Sequence, residues 1–345
     1  MNTPPLTLRL ARPDEGAAIT AFLDEHWGAK HPLLHIPEFF DFYYRPFGPD
    51  GPLQFAVAEQ AGRIAAAAGY IRANRLDVPD VWISIWCAAK FASGAGLELL
   101  NAMRGLIPAR EIACNNIRPR VMPLYKFVGY TADRLPHYYR LAGRSAYRVA
   151  RITEKTILPA GGGALLRPLR TEDELLASGY TPDADRRPYK DLWYLARRYY
   201  HYPHQRYDVW GAVESGAAEN SNMENRTVTA LLVTRCIPVN GTCVLRIVDY
   251  TGAPEAFCRL GAAIDRLIAE CGAEYADCYC AGIPAATMAE AGFCERTADD
   301  ANILPNYLTP PLYENTEYYY SAWEPQGFTM FKADGDQDRP NLPAE

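Results

Sequence analysis

The chain has 345 residues, with 35 Lys+Arg against 41 Asp+Glu and a formal charge of −6, so a broad basic surface for nucleic acid is not expected. Apolar residues make up 49% and charged residues 22%, a globular balance that excludes a wholly disordered, collagen-like or coiled-coil chain. No run approaches the ~18 uninterrupted apolar residues of a membrane span, and the opening MNTPPLTLRLARPDEG has no apolar core of a signal peptide; a cytoplasmic protein without membrane contact is expected.

In chain order, Leu6 to Arg12 alternates as a half-buried strand. Asp14 is placed to cap a helix running to about Glu25, and Pro37 opens a second, PEFFDFYY. Strands are predicted at Leu53 to Glu59, Arg63 to Arg75 and Val81 to Cys87. A small-residue loop, a helix from about Gly96 to Leu106, a short strand Glu111 to Cys114 and a helix Pro119 to Val128 follow. Three glycines in ILPAGGG, Ile157 to Gly163, mark a linker. Then the order restarts: strand Ala164 to Leu169, helix Tyr189 to Tyr200 and strand Tyr207 to Val213. A hairpin from Thr227 to Tyr250 turns at Asn240-Gly241. Helix Glu255 to Ala269, strand Tyr275 to Cys280 and helix Pro284 to Ala291 complete the series. The two halves read as an internal repeat, each short helix ending in Gly plus an aromatic, Gly129-Tyr130 and Gly292-Phe293. The expected division is 1–155, 164–333 and an irregular polar tail 334–345.

Nine cysteines, an odd number with no C-x-x-C pair, read as reduced interior thiols. Asp334, Asp336 and Asp338 have the spacing that opens a calcium loop, with Glu345 at position twelve. Arg339 stands where such a loop needs glycine, so no metal is expected.

The run ISIWCAAKFASGAGLELLNAM, Ile83 to Met103, resembles the acyl-CoA-binding segment of the GNAT acyltransferase superfamily: a strand, a loop written Q/R-x-x-G-x-G/A, and a helix. Here the loop is Phe91 to Gly96, with Phe91 in place of the Gln or Arg and Lys90 one residue earlier. Glycines admit a pyrophosphate close to the backbone, and the first helix amides point at it. The resemblance implies an acetyl-CoA (acyl-CoA) co-substrate held by Lys90, Ser93, Gly94, Ala95, Gly96 and Leu97. Ile85 and Cys87 on the strand and Asn116 in the next loop complete the set. A glycine pair there is equally the mark of a tight turn.

The helix Val121 to Tyr130 matches the family's A-x-x-L-Y-x-x-x-G-F in register at Leu124-Tyr125 and Gly129. The resemblance gives Tyr125 the role of proton donor to the departing CoA thiolate; a neutral phenol can donate at pH 7. A packed tyrosine on an amphipathic helix is the alternative. The second half has Tyr250-Thr251-Gly252-Ala253-Pro254 in place of the glycine loop and Met288 four residues before Gly292. One CoA site, in the first half, is therefore expected.

For the acceptor, the resemblance directs attention to the first helix and the loop after it, with His26, Trp27, His31 and His35. His137, in RLPHYYRL, is a candidate base on the final strands. Arg246 and Asp249 are either a substrate clamp or mid-strand salt bridges. The expected fold is mixed α/β, two tandem GNAT-like domains, each a mixed central sheet flanked by helices. The expected activity is N-acyl transfer to a small-molecule amine, an amino sugar or nucleotide-linked amino sugar of a bacterial surface glycan. The sugar rests on a resemblance of FKADGDQDRPN and RIVDYTG to acyltransferases of polysaccharide gene clusters. Two rivals stand beside it: a relative of the aminoacyl-tRNA-dependent peptidoglycan transferases, the one case with a nucleic-acid partner, and a non-catalytic scaffold.

Overall fold

The computed structural model describes residues 4–27, 30–215 and 226–343. Its first half runs β1 (Leu6–Leu10), α1 (Gly16–Trp27), α2 (Pro32–His35), α3 (Pro37–Tyr44), β2 (Phe55–Gln60), β3 (Arg63–Arg72), β4 (Asp80–Ala88), α4 (Ala95–Leu106), β5 (Glu111–Asn115), α5 (Met122–Phe127), β6 (Thr131–Leu135) and β7 (His137–Leu141). The second runs β8 (Ala164–Pro168), α6 (Glu172–Leu176), α7 (Leu192–Tyr200), β9 (Asp208–Glu214), β10 (Ala230–Val239), β11 (Thr242–Thr251), α8 (Gly261–Cys271), β12 (Ala273–Ala281), α9 (Ala285–Glu290), β13 (Cys294–Arg296), β14 (Tyr318–Ala322) and β15 (Met330–Phe331). Asp14 lies inside the turn before α1 rather than capping it; Glu15 accepts from the Arg12 N–H at 2.7 Å instead.

Two mixed sheets form. The first has the order β1-β2-β3-β4-β5-β14-β6 and the second β13-β7-β12-β11-β10-β9-β8, with β15 added against β12. Read from their first strands, the two sheets have the same order, and in both the fourth and fifth strands run parallel. The place between the fifth and last strands is filled from the other half: β14 enters the first sheet and β7 the second. Pro136, which has no N–H to offer a ladder, separates β6 from β7 where the chain leaves one sheet for the other. Its carbonyl accepts from the Cys280 N–H at 3.0 Å.

The repeat is visible in backbone detail. Gly129 (φ 93°) and Gly292 (φ 89°) both close their short helices in the left-handed region. The Tyr130 N–H donates to Tyr125 as the Phe293 N–H donates to Met288, so Tyr125 and Met288 are structural equivalents. Gly161 of the linker is docked, its N–H on the Glu290 carbonyl at 2.8 Å.

The outer face of the first sheet packs α4 and that of the second α8, each over its own core. The facing sides share a third core that holds Phe39, Tyr43 and Trp82 with Tyr199, Val248 and Met330. The Ala65–Ala68 run of β3 is fully buried, strand despite the helix preference of alanine, because ladder pairing on both sides and close packing of α4 override it. All nine cysteines are free. Among the described residues no helix is long and apolar enough to cross a membrane, and no group of three or more His, Cys, Asp or Glu is placed to hold a metal ion.

Candidate functional site

β4 and β5 pair from Asp80↔Glu111 to Ile83↔Cys114 and then part. Beyond Ile83, β4 continues to Ala88 with a ladder on its β3 side only. A bulge at the parting, where Ala68 faces Trp86 but Tyr70 faces Ile83, bends the strand away. Ile85 is buried there, and Cys87 is half-buried with its thiol pushed up by burial. These residues, with the loop after them, form the segment expected to hold acyl-CoA.

In that loop Lys90, Ser93 and Gly94 are exposed. Gly94 is at φ 87° with nothing within 4 Å of where a Cβ would stand, a conformation that favours glycine. It precedes the twelve residues of α4, and no side chain caps that helix. The Ala95 N–H donates to the Ala92 carbonyl at 3.1 Å, so it is the next α4 amides, of Gly96 and Leu97, that keep the donor capacity an anion uses at a helix start. Gly96 serves packing: a Cβ there would lie 2.9 Å from that of Ala88, and its carbonyl accepts from Trp86 Nε1 at 3.1 Å. Phe91 departs from the expected Gln or Arg, yet the Arg63 guanidinium lies 4.6 Å from its ring centroid. A cation thus stands beside the loop, supplied by the start of β3. Sequence spacing gives no hint of that pair.

Tyr125 sits where the strands part. Its ring contacts Trp86 of β4 at 5.8 Å and Tyr130 at 5.5 Å, and its hydroxyl lies against the Cys114 thiol of β5. Burial raises its pKa well above the ordinary value, with Cys114 adding to the shift. The hydroxyl is therefore a neutral donor, and the side chain is only 2% exposed.

The residues expected on the acceptor side gather on the interdomain face of the first sheet. His26 approaches Phe91 (6.1 Å), which links α1 to the glycine loop, and Trp27 approaches His31 (5.8 Å). His31 Nδ1 accepts from the Leu33 N–H at 3.3 Å, and His35 pairs with Asp24 at 2.7 Å. Burial, then Arg339, lowers His31 to about 4, so it is neutral at pH 7. Asn116, at φ 61°, donates to Gln337 Oε1 at 3.2 Å.

His137 is placed otherwise than the sequence reading has it, while Arg246 and Asp249 meet one of the two readings given for them. His137 lies on β7, hence in the second sheet, fully buried and away from the first glycine loop. Its Nδ1 accepts from Arg296 at 3.0 Å, its ring stacks on Tyr279, and burial lowers it to about 4. Arg246 makes a bidentate pair with Asp277 at 3.0 and 2.7 Å. Asp249 takes Lys190 at 2.6 Å and the Tyr199 hydroxyl. Of the two readings for Arg246 and Asp249, interior ion pairing is the one realised.

The second parting, between β11 and β12, carries the chain's own C-terminal segment. β11 and β12 pair as far as Ile247↔Cys278. Beyond that, β15 pairs with Cys280 and Ala281, and the Ala333 N–H donates to the Val248 carbonyl at 2.9 Å. The expected tail is irregular but interior: Asp334, Asp336 and Asp338 are all buried. Lys190 stands 2.6 Å from both Asp249 and Asp334, and burial pushes the Asp334 carboxyl up to about 6 against the pull of Lys190. Arg198 Nη2 donates to the Ala333 and Gln337 carbonyls, and Arg235 holds Asp338 at 2.9 Å. The opposite side of the segment is held by the first sheet, where Asn115 Nδ2 donates to Phe331 O and Asp334 O. Lys190, Arg198 and Lys332 escaped the sequence reading; the alternate-residue acids of the tail were the available signal, because buried acids need cations. Glu345, twelfth in the calcium-loop spacing, lies outside the described residues.

No protein-family model and no curated protein sequence matches the chain. Solved structures do. They include a GCN5-related N-acetyltransferase from Anabaena variabilis (11% identity, TM-score 0.49, covering 92% of this chain and 72% of that one). A GCN5-related N-acetyltransferase from Kribbella flavida gives 14% identity, a TM-score of 0.44 and coverage of 93% and 71%. The glucosamine N-acetyltransferase region of a fungal multi-domain β-N-acetylglucosaminidase gives 10% identity, 0.47, and coverage of 93% and 38%. The fold itself is mixed α/β, two units in tandem whose sheets share one strand order and have parallel, parting fourth and fifth strands.

Proposed function

We propose that the protein transfers an acyl group, acetyl in the first instance, from acyl-CoA to a primary amine at the first unit. The observation that carries this reading is the conjunction at one strand parting of an unpaired β4 edge, the Gly94 turn with an uncapped α4 start, and a neutral buried Tyr125. The β4 amides beyond Ile83 would take the thioester arm and stabilise the developing oxyanion. The α4 amides, with Lys90 and Arg63 nearby, would take the pyrophosphate. Tyr125 would return a proton to the leaving thiolate. The acceptor would enter on the interdomain face, by Trp27, His31 and His35. We take it to be an amino sugar, free or nucleotide-linked, of a bacterial surface glycan, acted on in the cytoplasm. That part rests only on the sequence resemblance of the FKADGDQDRPN and RIVDYTG segments.

The test is a screen of amino sugars and nucleotide-linked amino sugars with acetyl-CoA, read by release of the CoA thiol. Thiol release that depends on a primary amine supports the reading. Acetyl-CoA binding without turnover of any amine favours the scaffold, and absence of acetyl-CoA binding removes the reading.

A further inference from the structure

The chain has six lysines, and Lys332 differs from the rest in its surroundings. It is 6% exposed, with Nζ 4.3 Å from the Tyr318 ring centroid and 5.2 Å from that of Tyr279. Among the described residues its amine makes no hydrogen bond and no ion pair. Lys190, equally buried, has two carboxylates. The groups that face Lys332 come from every element around it: Arg246 of β11, Asp277 and Tyr279 of β12, Tyr307 of the connection before β14, Tyr318 of β14, and Asp338 of the C-terminal segment. Both carboxylates are committed elsewhere, Asp277 to Arg246 and Asp338 to Arg235. Burial, reinforced by Arg246 and opposed by Asp338 and Asp277, lowers the amine to about 7.

A second orphan stands beside it. Asn306 is 3% exposed; its Nδ2 donates to the Tyr318 hydroxyl at 2.7 Å, while its Oδ1 has no donor. Both orphans are acceptors when the lysine is neutral, and both lie on Tyr318. The position is also apt. Phe331 and Asp334, which bracket Lys332, hang by their carbonyls from Asn115 at the carboxyl end of β5, where β4 and β5 have parted. Tyr320 pairs directly with Asn115, so Tyr318 shares the face of the first sheet that carries Asn115. Trp27 packs onto the core of that same face.

We propose that Lys332 is the base that takes a proton from the acceptor amine, with Asn306 Oδ1 accepting a second N–H from the same nitrogen. The inference rests on the acyl-transfer reading above, and it names the acceptor as a protonated primary amine. In the step, R–NH3+ gives one proton to the Nζ lone pair. The freed amine lone pair forms the C–N bond at the thioester carbonyl carbon, and the C–S bond breaks. The thiolate takes a proton from Tyr125, which regains one from the second amine N–H through solvent. Lys332 releases its proton to solvent, so the products are amide, CoA thiol and one proton.

The test uses the full chain with its lysines 13C-labelled at Cε, with the Lys332 resonance assigned by Lys332→Arg. The expected result is a titration step near pH 7 that is absent in the variant. With an acceptor found in the thiol-release screen, Lys332→Met should lower kcat by roughly 10²–10⁴-fold, leave acetyl-CoA affinity unchanged and abolish the acidic limb of the pH profile. Lys332→Ala should regain part of the rate with added ethylamine, which a purely structural lysine would not permit. A Lys332 that binds protons up to about pH 9 or above, or a Lys332→Met with unaltered kcat, overturns the assignment and leaves the acyl-transfer reading standing. Loss of acetyl-CoA binding in the wild-type chain would overturn that reading, and the assignment with it.

Discussion

The two strand partings of the molecule have the same geometry and different contents. In the first, β4 beyond Ile83 offers a bare edge beside an uncapped helix start. In the second, the equivalent edges are met by Met330, Phe331 and Ala333 of the same chain. A buried ladder edge must find partners, and a half that has lost its glycine loop and its tyrosine has had that need met from within. The cost of burying three aspartates is offset by Lys190, Arg235 and Arg339. The two units thus share a strand order and differ in one edge, bare in the first and closed by the C-terminal segment in the second.

The comparison can be broken at several strengths. The largest effect expected is on chemistry: Tyr125→Phe should lower turnover by roughly 10²–10⁴-fold with folding and acetyl-CoA affinity retained, since only a hydroxyl is lost. Its second-unit equivalent, Met288→Leu, should leave turnover within about twofold, because a volume-conserving core swap is well tolerated. Steady-state kinetics on both variants decide the matter.

Next comes the closed parting. Asp249→Ala removes one carboxylate from Lys190 and the partner of the Tyr199 hydroxyl. Breaking such a buried pair costs about 3–5 kcal/mol, to be read as a lower urea midpoint. An unchanged midpoint would mean that the segment is not held there by charge.

The glycines sharpen the contrast. Gly94→Val puts a β-branched residue at φ 87° in open space. It should cost ~1–3 kcal/mol of strain and weaken acetyl-CoA about tenfold or more, 1.4 kcal/mol per decade. Gly252→Val would place its Cβ 2.5 Å from that of Ala230 and 2.7 Å from the Tyr250 hydroxyl oxygen. Overpacking of this kind costs ~1–3 kcal/mol, with acetyl-CoA affinity intact. Calorimetry with thermal melts separates the two.

The last comparison is a pH dependence. Asp334 has its folded pKa raised from 3.8 to about 6. The folded state therefore binds the extra proton between those values, and this contribution is full below pH 4 and lost as pH rises through 6. Asp334→Asn imitates the protonated acid, so the variant should gain on the wild type from pH 4 to pH 7. A constant difference in melting temperature would show that Asp334 does not titrate there.

Much of this was legible in the sequence, because it is local. The alternation of β1, the Asn240-Gly241 turn with both φ values positive, the Gly94 loop and the register of Tyr125 with Gly129 all depend on neighbours a few residues apart. The exchange of β7 and β14 was not legible, since two strands of five residues carry no mark of which sheet they join. His137 was misplaced for that reason alone. The burial of the 328–338 segment was hidden by its polarity: Asp334 and Asp338 are neutralised by Lys190 and Arg235, far away in sequence, and only Asp336 by a neighbour, Arg339. Gly96 illustrates a subtler case, where the glycine of a binding motif is also demanded by Ala88.

Calorimetric titration of the wild-type chain and of Gly94→Val with acetyl-CoA tests the central claim most directly. The account predicts one molecule bound per wild-type chain, with affinity reduced about tenfold or more in the variant. Two molecules per chain, or the same affinity in both proteins, would contradict it.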